Sequence, residues 1–508
     1  MNINAKLFLP NTLAAVAFAT LGCASPENLR TSTDEIISAN AYTALPEVSL
    51  LPPIAQARTT TAAFDPSLAP KLDLSVCTLV ADTCAAPPVA VVPPGAVQLK
   101  SGRYVAMWDT SNLALPAGGQ IRMHVDLAGL TLASVDVDVS DDGKQLRSDL
   151  TDELLGAYGR TLPVDFFVGR TPTIAAHAMH AAGNSATEIA QTLHGEFGQS
   201  AEETVGILQT EGFSIVDIAA SLKTVYGLDA DAAATILADA GFGIDALAQA
   251  CKDAFGMSAW STAALLDGRG ATTNEIAGAL KTVYVLGPEV TATILKGTGA
   301  TTNELTGALK DVFALQATAT GLVLEGLGVV TDEIATAMKD VYQLTAEATA
   351  SVLKDMGTAV EEIGGAMKNV FQLSAEGMGL VLKGLQYASD EIARSLQIAY
   401  DFYADGAAMV LEEIGIPVDE IARSLQNVWD MAADGAAQIL RDIGIDPEIV
   451  ATTLQIVWEL SDFDLAGVMS LLGYDVTVTI HAMAVALGIS DDAATAIWCL
   501  ALPPYCPI

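Results

Sequence analysis

Six cysteines and five histidines are the side chains best suited to chemistry in this chain of 508 residues, and their spacing limits what they can do. His177 and His180 lie one turn apart on a helical stretch and could present two ligands to a metal. The His-Glu-x-x-His spacing of a zinc protease is absent, however, and the same pair suits a solvated helix surface. Cys77 with Cys84 and Cys499 with Cys506 form two close pairs, each able to close a short local disulfide loop, which fits an oxidising compartment. Neither pair has a second pair at zinc-finger spacing, so no metal is expected. DVDVSDDG at 136 to 143 invites a calcium reading, but counting from Asp136 puts Asp141 and Arg147 where an EF-type loop needs Gly and Glu. It reads instead as a strand running into a turn. No nucleophile-base-acid triad, phosphate loop or dinucleotide-binding glycine fingerprint is recognisable. The chain is therefore read as non-enzymatic, with no catalytic residue and no cofactor.

A row of cations offers binding rather than catalysis. Lys223, Lys252, Lys281, Lys310, Lys339 and Lys368 recur at one spacing, and Gln397, Gln426 and Gln455 continue the row. One reading is a solvated position repeated by duplication. The sharper one is an outward-facing basic ladder that engages an acidic or carboxylated ligand. On either reading the side chains lie off the core stripe, so replacing them is expected to leave stability nearly unchanged. Around them the chain is strongly acidic, with a formal net charge of −37. That excess excludes nucleic acid as a natural partner, because a phosphate backbone would be repelled, and it weighs against an anionic membrane surface. An apolar content of 51% is ample for a core.

The lysines are spaced by a repeat. Aligned on Glu333 of TDEIATAMKDVYQLTAEATASVLKDMG, units start at 188, 217, 246, 275, 304, 333, 362, 391, 420, 449 and 478, a period of 29 without a slip. In each unit an apolar second position (Ile189, Ile218, Leu247), a sixth position of Leu, Met or Cys251, and an aromatic tenth position share one helical face. The aromatic series runs Phe197, Tyr226, Phe255, Tyr284, Phe313, Tyr342, Phe371, Tyr400, Trp429 and Trp458. Cys251 is thus a small buried hydrophobe. A second helix carries Leu at position 21 and closes at position 25 on Gly, as in Gly299 and Gly357, where a left-handed backbone suits glycine. Gln386 breaks that rule, with Gly384 two residues early, so its turn is expected to differ. Ser185 with Glu188, Thr272 with Glu275 and Thr301 with Glu304 read as capping boxes, and the TDE at 331 to 333 is taken as the same device. One unit cannot bury its apolar face alone, so the units must stack into a helical-hairpin solenoid. Its ends are atypical: the unit at 478 lacks the aromatic, and Cys499 and Cys506 pin a Pro-rich tail.

The N-terminus reads as an export signal: one Lys, then an uncharged apolar run from Leu7 to Gly22, then small residues. TLGC at 20 to 23 resembles the lipobox of bacterial lipoproteins, which implies lipidation of Cys23 as the mature N-terminus. Thr20 and Leu21 depart from the usual pattern, and ordinary cleavage after Ala24 or a retained anchor are the alternatives. Residues 25 to 61, rich in Ser, Thr, Ala and Pro, read as a flexible linker. Beyond them Arg103 to Trp108, Gln120 to Leu127 and Leu130 to Val139 alternate like strands, with Val135, Val137 and Val139 on an apolar face and Asp136 and Asp138 on a wet one. Ala128-Gly129 is a hairpin signal and SDDG at 140 to 143 a turn. FDPSLAP at 64 to 70, YVAMWDT at 104 to 110, IRMHV at 121 to 125, ASVDVDV at 133 to 139 and GRTLPVDFFV at 159 to 168 together resemble a small β-module found in exported proteins of Gram-negative bacteria. That resemblance implies an immunoglobulin-like sandwich and carries no activity.

The chain is therefore expected to be mainly α. Its order is signal peptide 1–24, linker 25–61, β-sandwich 62–170, an α-solenoid of about eleven repeats over 171–498 and a disulfide-closed cap 499–508. The expected role is a binding scaffold tethered at the cell envelope or surface through an N-terminal lipid, or else secreted or periplasmic. Its partner would be a protein or an acidic, carboxylated envelope ligand. The alternatives are a structural or adhesive spacer and, last, an extracellular hydrolase.

Overall fold

In the computed structural model the described residues are 42–55, 58–149, 154–157 and 159–506. The leader and Cys23 lie outside them. The chain divides into two compact units, Met1–Gly183 and Asn184–Ile508.

The first unit is two antiparallel sheets around one core. Leu72–Val80, Gln120–Leu127, Leu130–Val139, Gln145–Ser148 and Leu154–Ala157 belong to the larger sheet; Val48–Leu50, Thr161–Val168, Arg103–Asp109 and Gln98–Lys100 form the smaller. Trp108, Tyr104 and Phe166 from the smaller sheet and Leu72, Met123 and Val135 from the larger one are fully buried between them. The two strands expected around Ala128-Gly129 are joined there, both residues having positive φ as a tight hairpin turn requires. Two expectations change. Residues 42–55 are not linker: Tyr42–Ala44 pairs with Leu130–Val139, Val48–Leu50 pairs with Thr161–Val168, and Val48, Leu50, Ile54 and Ala55 are buried. These pieces are too short to show a period, so only cross-sheet pairing reveals them. Asp136 is not wet either. It is 4% exposed because the Arg122 guanidinium grips its carboxylate at 2.6 and 2.9 Å.

Of the 23 α-helices among the described residues, the first, Pro172–Ala181, packs Ile174 and Ala178 into this β core. The others pair into hairpins from Ala186–Phe197 with Ala201–Thr210 to Val476–Leu487 with Asp491–Ala501, so the mainly α, repeat architecture is as expected. Each first helix packs on its own second helix and on the first helix of the next unit, burying the Ile/Leu, Leu/Met and Leu stripes.

The hairpin bend has a feature the periodicity does not announce. The eleventh position is left-handed throughout: Gly198, Gly227, Gly256 and Gly488, but also Val285, Ala314, Gln343, Gln372, Asp401, Asp430 and Glu459. Val285 is the worst suited, a β-branched residue at φ 57° whose side chain is 80% exposed and so gains little from packing. Val285→Gly is expected to raise the unfolding free energy by about 1 kcal/mol, the strain relieved less glycine's entropy. Urea unfolding checks the sign, and a loss of stability would refute it. The turn at Gln386 does not differ from its neighbours. Gln386 itself takes φ 61°, its N–H bonds Lys383 O at 2.9 Å and Tyr387 N–H bonds Leu382 O, as Gly357 and Thr358 do with Lys354 and Leu353. The closing hydrogen bonds hold the backbone left-handed although the residue there is not glycine.

Candidate functional site

The lysine row is partnered within the array, with Lys223, Lys281 and Lys339 still exposed. Each ammonium reaches the C-terminal end of the first helix one unit on: Lys223 to Ala254 O, Lys252 to Val283 O, Lys281 to Val312 O, Lys310 to Val341 O, Lys339 to Val370 O and Lys368 to Ala399 O, at 2.6–2.9 Å. Each also lies 5.1–5.4 Å from the ring centre of the next unit's aromatic, from Phe255 through Tyr400. A cation satisfying the orphan carbonyls of a helix end, on the negative side of its dipole and over a ring face, is a structural staple. The spacing placed the six lysines in register, but the carbonyls that take their charge are visible only once units stack. A parallel row serves the second helices, with Lys296 on Leu327 O, Lys354 on Leu385 O, Lys383 on Ile414 O and Arg441 on Leu472 O.

The acids at the helix starts are mostly spent as well. Ser185, Thr272 and Thr301 do form capping boxes with Glu188, Glu275 and Glu304. The TDE does not, because the cap of Thr331–Asp340 is Val330; Thr331 instead bonds Glu362 at 2.6 Å in the next unit. A further ladder joins a helix start to the eighth position of the following unit: Asn274 with Asp311, Asn303 with Asp340, Asp332 with Asn369, and Asp390 with Asn427 at 2.7 Å.

That polar ladder skips Ile398, which is 57% exposed, and has its last rung at Asn427. The same spacing of 37 residues places Ile456 against Asp419 and Val485 against Glu448. Ile456 is 49% exposed, Ile449 47% and Val485 47%. With Val418, Thr452 and Thr453 they line a groove of about 380 Å³ across three successive first helices, rimmed by Asp419 and Glu448. Beside it a recess of about 290 Å³ is bounded by Asp446, Glu448, Thr477 and His481. His481 donates toward Asp491 at 3.0 Å and lies 3.5 Å from Glu448, and the Asp491 hydrogen bond holds its pKa above the usual histidine range. A larger cavity of about 590 Å³ lies between the units starting at 275 and 304. Several of its polar groups are committed, Thr272 to its cap, Glu304 to Thr301 and Asn274 to Asp311. Of the three recesses, the groove is the one where apolar surface is left open beside acids that lack the ladder's amide partner.

The other nominated residues stay apart. His177 contacts Leu127 O at 2.9 Å and so anchors its helix to the β unit. Cys77–Cys84 and Cys499–Cys506 are disulfides, the second closing the tail after Asp491–Ala501. Cys251 is buried and unbridged, and burial pushes its thiol pKa up. His124 was missed. Its Nε2 lies 3.8 Å from Cys77 Sγ and 3.9 Å from Cys84 Sγ, and burial holds its pKa below the ordinary range. It sits 47 and 40 residues along the chain from them, so only strand pairing could find it. In comparisons with known protein families and with curated proteins, the chain matches none of them.

Proposed function

We propose that this protein is a non-enzymatic scaffold, tethered at the cell envelope through Cys23, whose solenoid captures a basic amphipathic segment of another protein. The observation that carries the reading is the apolar groove near the end of the array: where Asn369 and Asn427 tie the eighth position to an aspartate, Ile456 and Val485 leave exposed apolar surface beside Asp419 and Glu448. An apolar floor with Asp419 and Glu448 on its rim, in a chain of net charge −37, suits a helix with an apolar face and lysines or arginines beside it. An acidic ligand would instead have to compete for lysines that already hold helix-end carbonyls. The spacer reading draws on the same ladders, which make the central units self-sufficient.

Anisotropy of a labelled Leu/Lys amphipathic peptide separates the two. Saturable binding by the intact chain is expected, with no binding of a Leu/Glu counterpart. Ile456→Asn with Val485→Asn should weaken it at least about tenfold, the loss of two apolar contacts. Stability should hold, since the amide introduced by Ile456→Asn would face Asp419 as Asn427 faces Asp390. Equal binding by the double variant leaves the spacer reading ahead. The tether is checked by the mass of the mature N-terminus, where an unlipidated Ser25 would remove it.

A further inference from the structure

The β unit carries a second cluster suited to a ligand, unrelated to the groove. Cys77 on Leu72–Val80, Cys84 on Thr83–Cys84 and His124 on Gln120–Leu127 bring two sulfurs and one ring nitrogen within 4.8 Å of one another. In the register of the sheet, Leu74, Val76, Met123 and Val125 are core residues, which turns Cys77 and His124 to the opposite surface. There the cluster is flanked by the Ser75–Asp126 hydrogen bond and the Arg122–Asp136 ion pair, which fix the neighbouring side chains.

We propose that Cys77, Cys84 and His124 form a redox-gated site for a thiophilic divalent cation such as Zn2+. A dithiol reductant opens it by thiol–disulfide exchange: the reductant's two thiols become a disulfide, and its two electrons and two protons leave Cys77 and Cys84 as thiols. The cation then binds two thiolates and the neutral imidazole Nε2, releasing the two thiol protons. Exchange with a disulfide oxidant reforms the Cys77–Cys84 bond and expels the ion, the two electrons of the thiolates passing to the oxidant's sulfurs, which leave as thiols.

Geometry supports this in two ways. Tetrahedral zinc with Zn–S of about 2.3 Å and Zn–N of about 2.0 Å sets the nitrogen roughly 3.5 Å from each sulfur. Nε2 stands 3.8 and 3.9 Å from the two sulfurs, nearly equidistant, so one ion can reach all three after the sulfurs part. The ring is also unsatisfied beside the closed disulfide. Nδ1 is buried without a partner, and a sulfur already in a disulfide is only a weak acceptor for Nε2–H. A metal on Nε2 gives that nitrogen a strong partner. Cys84 and His124 are only partly buried, which leaves a fourth position for water or a substrate ligand, as in sites that are open rather than purely structural.

The test uses the full chain carrying Cys23→Ser, Cys251→Ser, Cys499→Ser and Cys506→Ser, so that the only thiols are the two in question. Co2+ is titrated before and after reduction with a phosphine, with Zn2+ as competitor. Expected are one Co2+ per chain with sulfur-to-cobalt charge-transfer absorption in the reduced form only, displacement by Zn2+, and affinity at least about tenfold weaker in His124→Asn. Trypsin resistance of the β unit is followed alongside. No cobalt spectrum, an unchanged affinity in His124→Asn, or a β unit that becomes digestible on reduction and is not restored by metal would each overturn the site.

Discussion

Replacing Lys281, Lys310 and Lys339 together with Met lowers the unfolding free energy by about 3 kcal/mol. Each ammonium contributes a charge-assisted hydrogen bond to a helix-end carbonyl, a favourable position on the dipole and a cation–π contact, together about 1 kcal/mol at so accessible a site. Met keeps the apolar stem and removes only the donor and the charge. The three carbonyls, Val312, Val341 and Val370, cap consecutive first helices, so the loss falls in the middle of the array. Urea unfolding gives the magnitude and hydrogen exchange its place. Because the contribution rests on charge near solvent, 1 M NaCl should narrow the gap between variant and parent, the screening length there being about 3 Å. A change under about 0.5 kcal/mol would mean that the ammoniums stand free and the ligand reading of the row regains its footing.

Phe313→Tyr with Phe371→Tyr stabilises the array by about 2 kcal/mol, about 1 kcal/mol for each hydrogen-bonded hydroxyl. The reason lies in the alternation of the tenth position. Tyr284 donates to Met257 O at 3.0 Å and meets Thr262 Oγ1 at 2.6 Å; Tyr342 donates to Leu315 O at 2.8 Å and meets Thr320 Oγ1 at 2.6 Å. With the phenol proton committed to the carbonyl, the buried threonine is the donor to the phenol oxygen. Thr291 and Thr349 occupy the same position in the units between, equally buried, and their hydroxyls have no partner because Phe313 and Phe371 stand where a tyrosine would. The converse change, Tyr342→Phe, should cost about 2 kcal/mol, since it strands Thr320 in the state Thr291 already occupies. Thermal and urea unfolding of the three variants decide the matter. Destabilisation by Phe313→Tyr would show that the pocket has no room for the oxygen. A neutral Tyr342→Phe would show that the hydroxyl pair contributes nothing net.

The repeat was legible from end to end in the amino-acid sequence. A period of 29, a stripe of Ile/Leu, Leu/Met and aromatic residues, and Gly at one recurring turn leave a helical hairpin as the only way to bury one face per unit, and the capping boxes at Ser185, Thr272 and Thr301 follow from local hydrogen-bond geometry alone. The two local disulfides were readable for the same reason, each pair being only seven residues apart. What lay beyond reach depends on neighbours distant in sequence. The lysines could be placed in a row, but whether a charge faces water or the next helix's carbonyls, 31 residues on, is set by how one unit stacks on another. The strands Tyr42–Ala44 and Val48–Leu50 are too short to carry a period and exist only through partners near Val135 and Val168. The left-handed Gln386 and Val285 defy residue preference because closing hydrogen bonds and stacking outweigh a local penalty of about 1–2 kcal/mol. The groove at Ile456 and the cluster at His124 are likewise products of packing, for apolar exposure and ligand convergence are properties of a surface in space, and a single strand or helix has neither until its neighbours are in place.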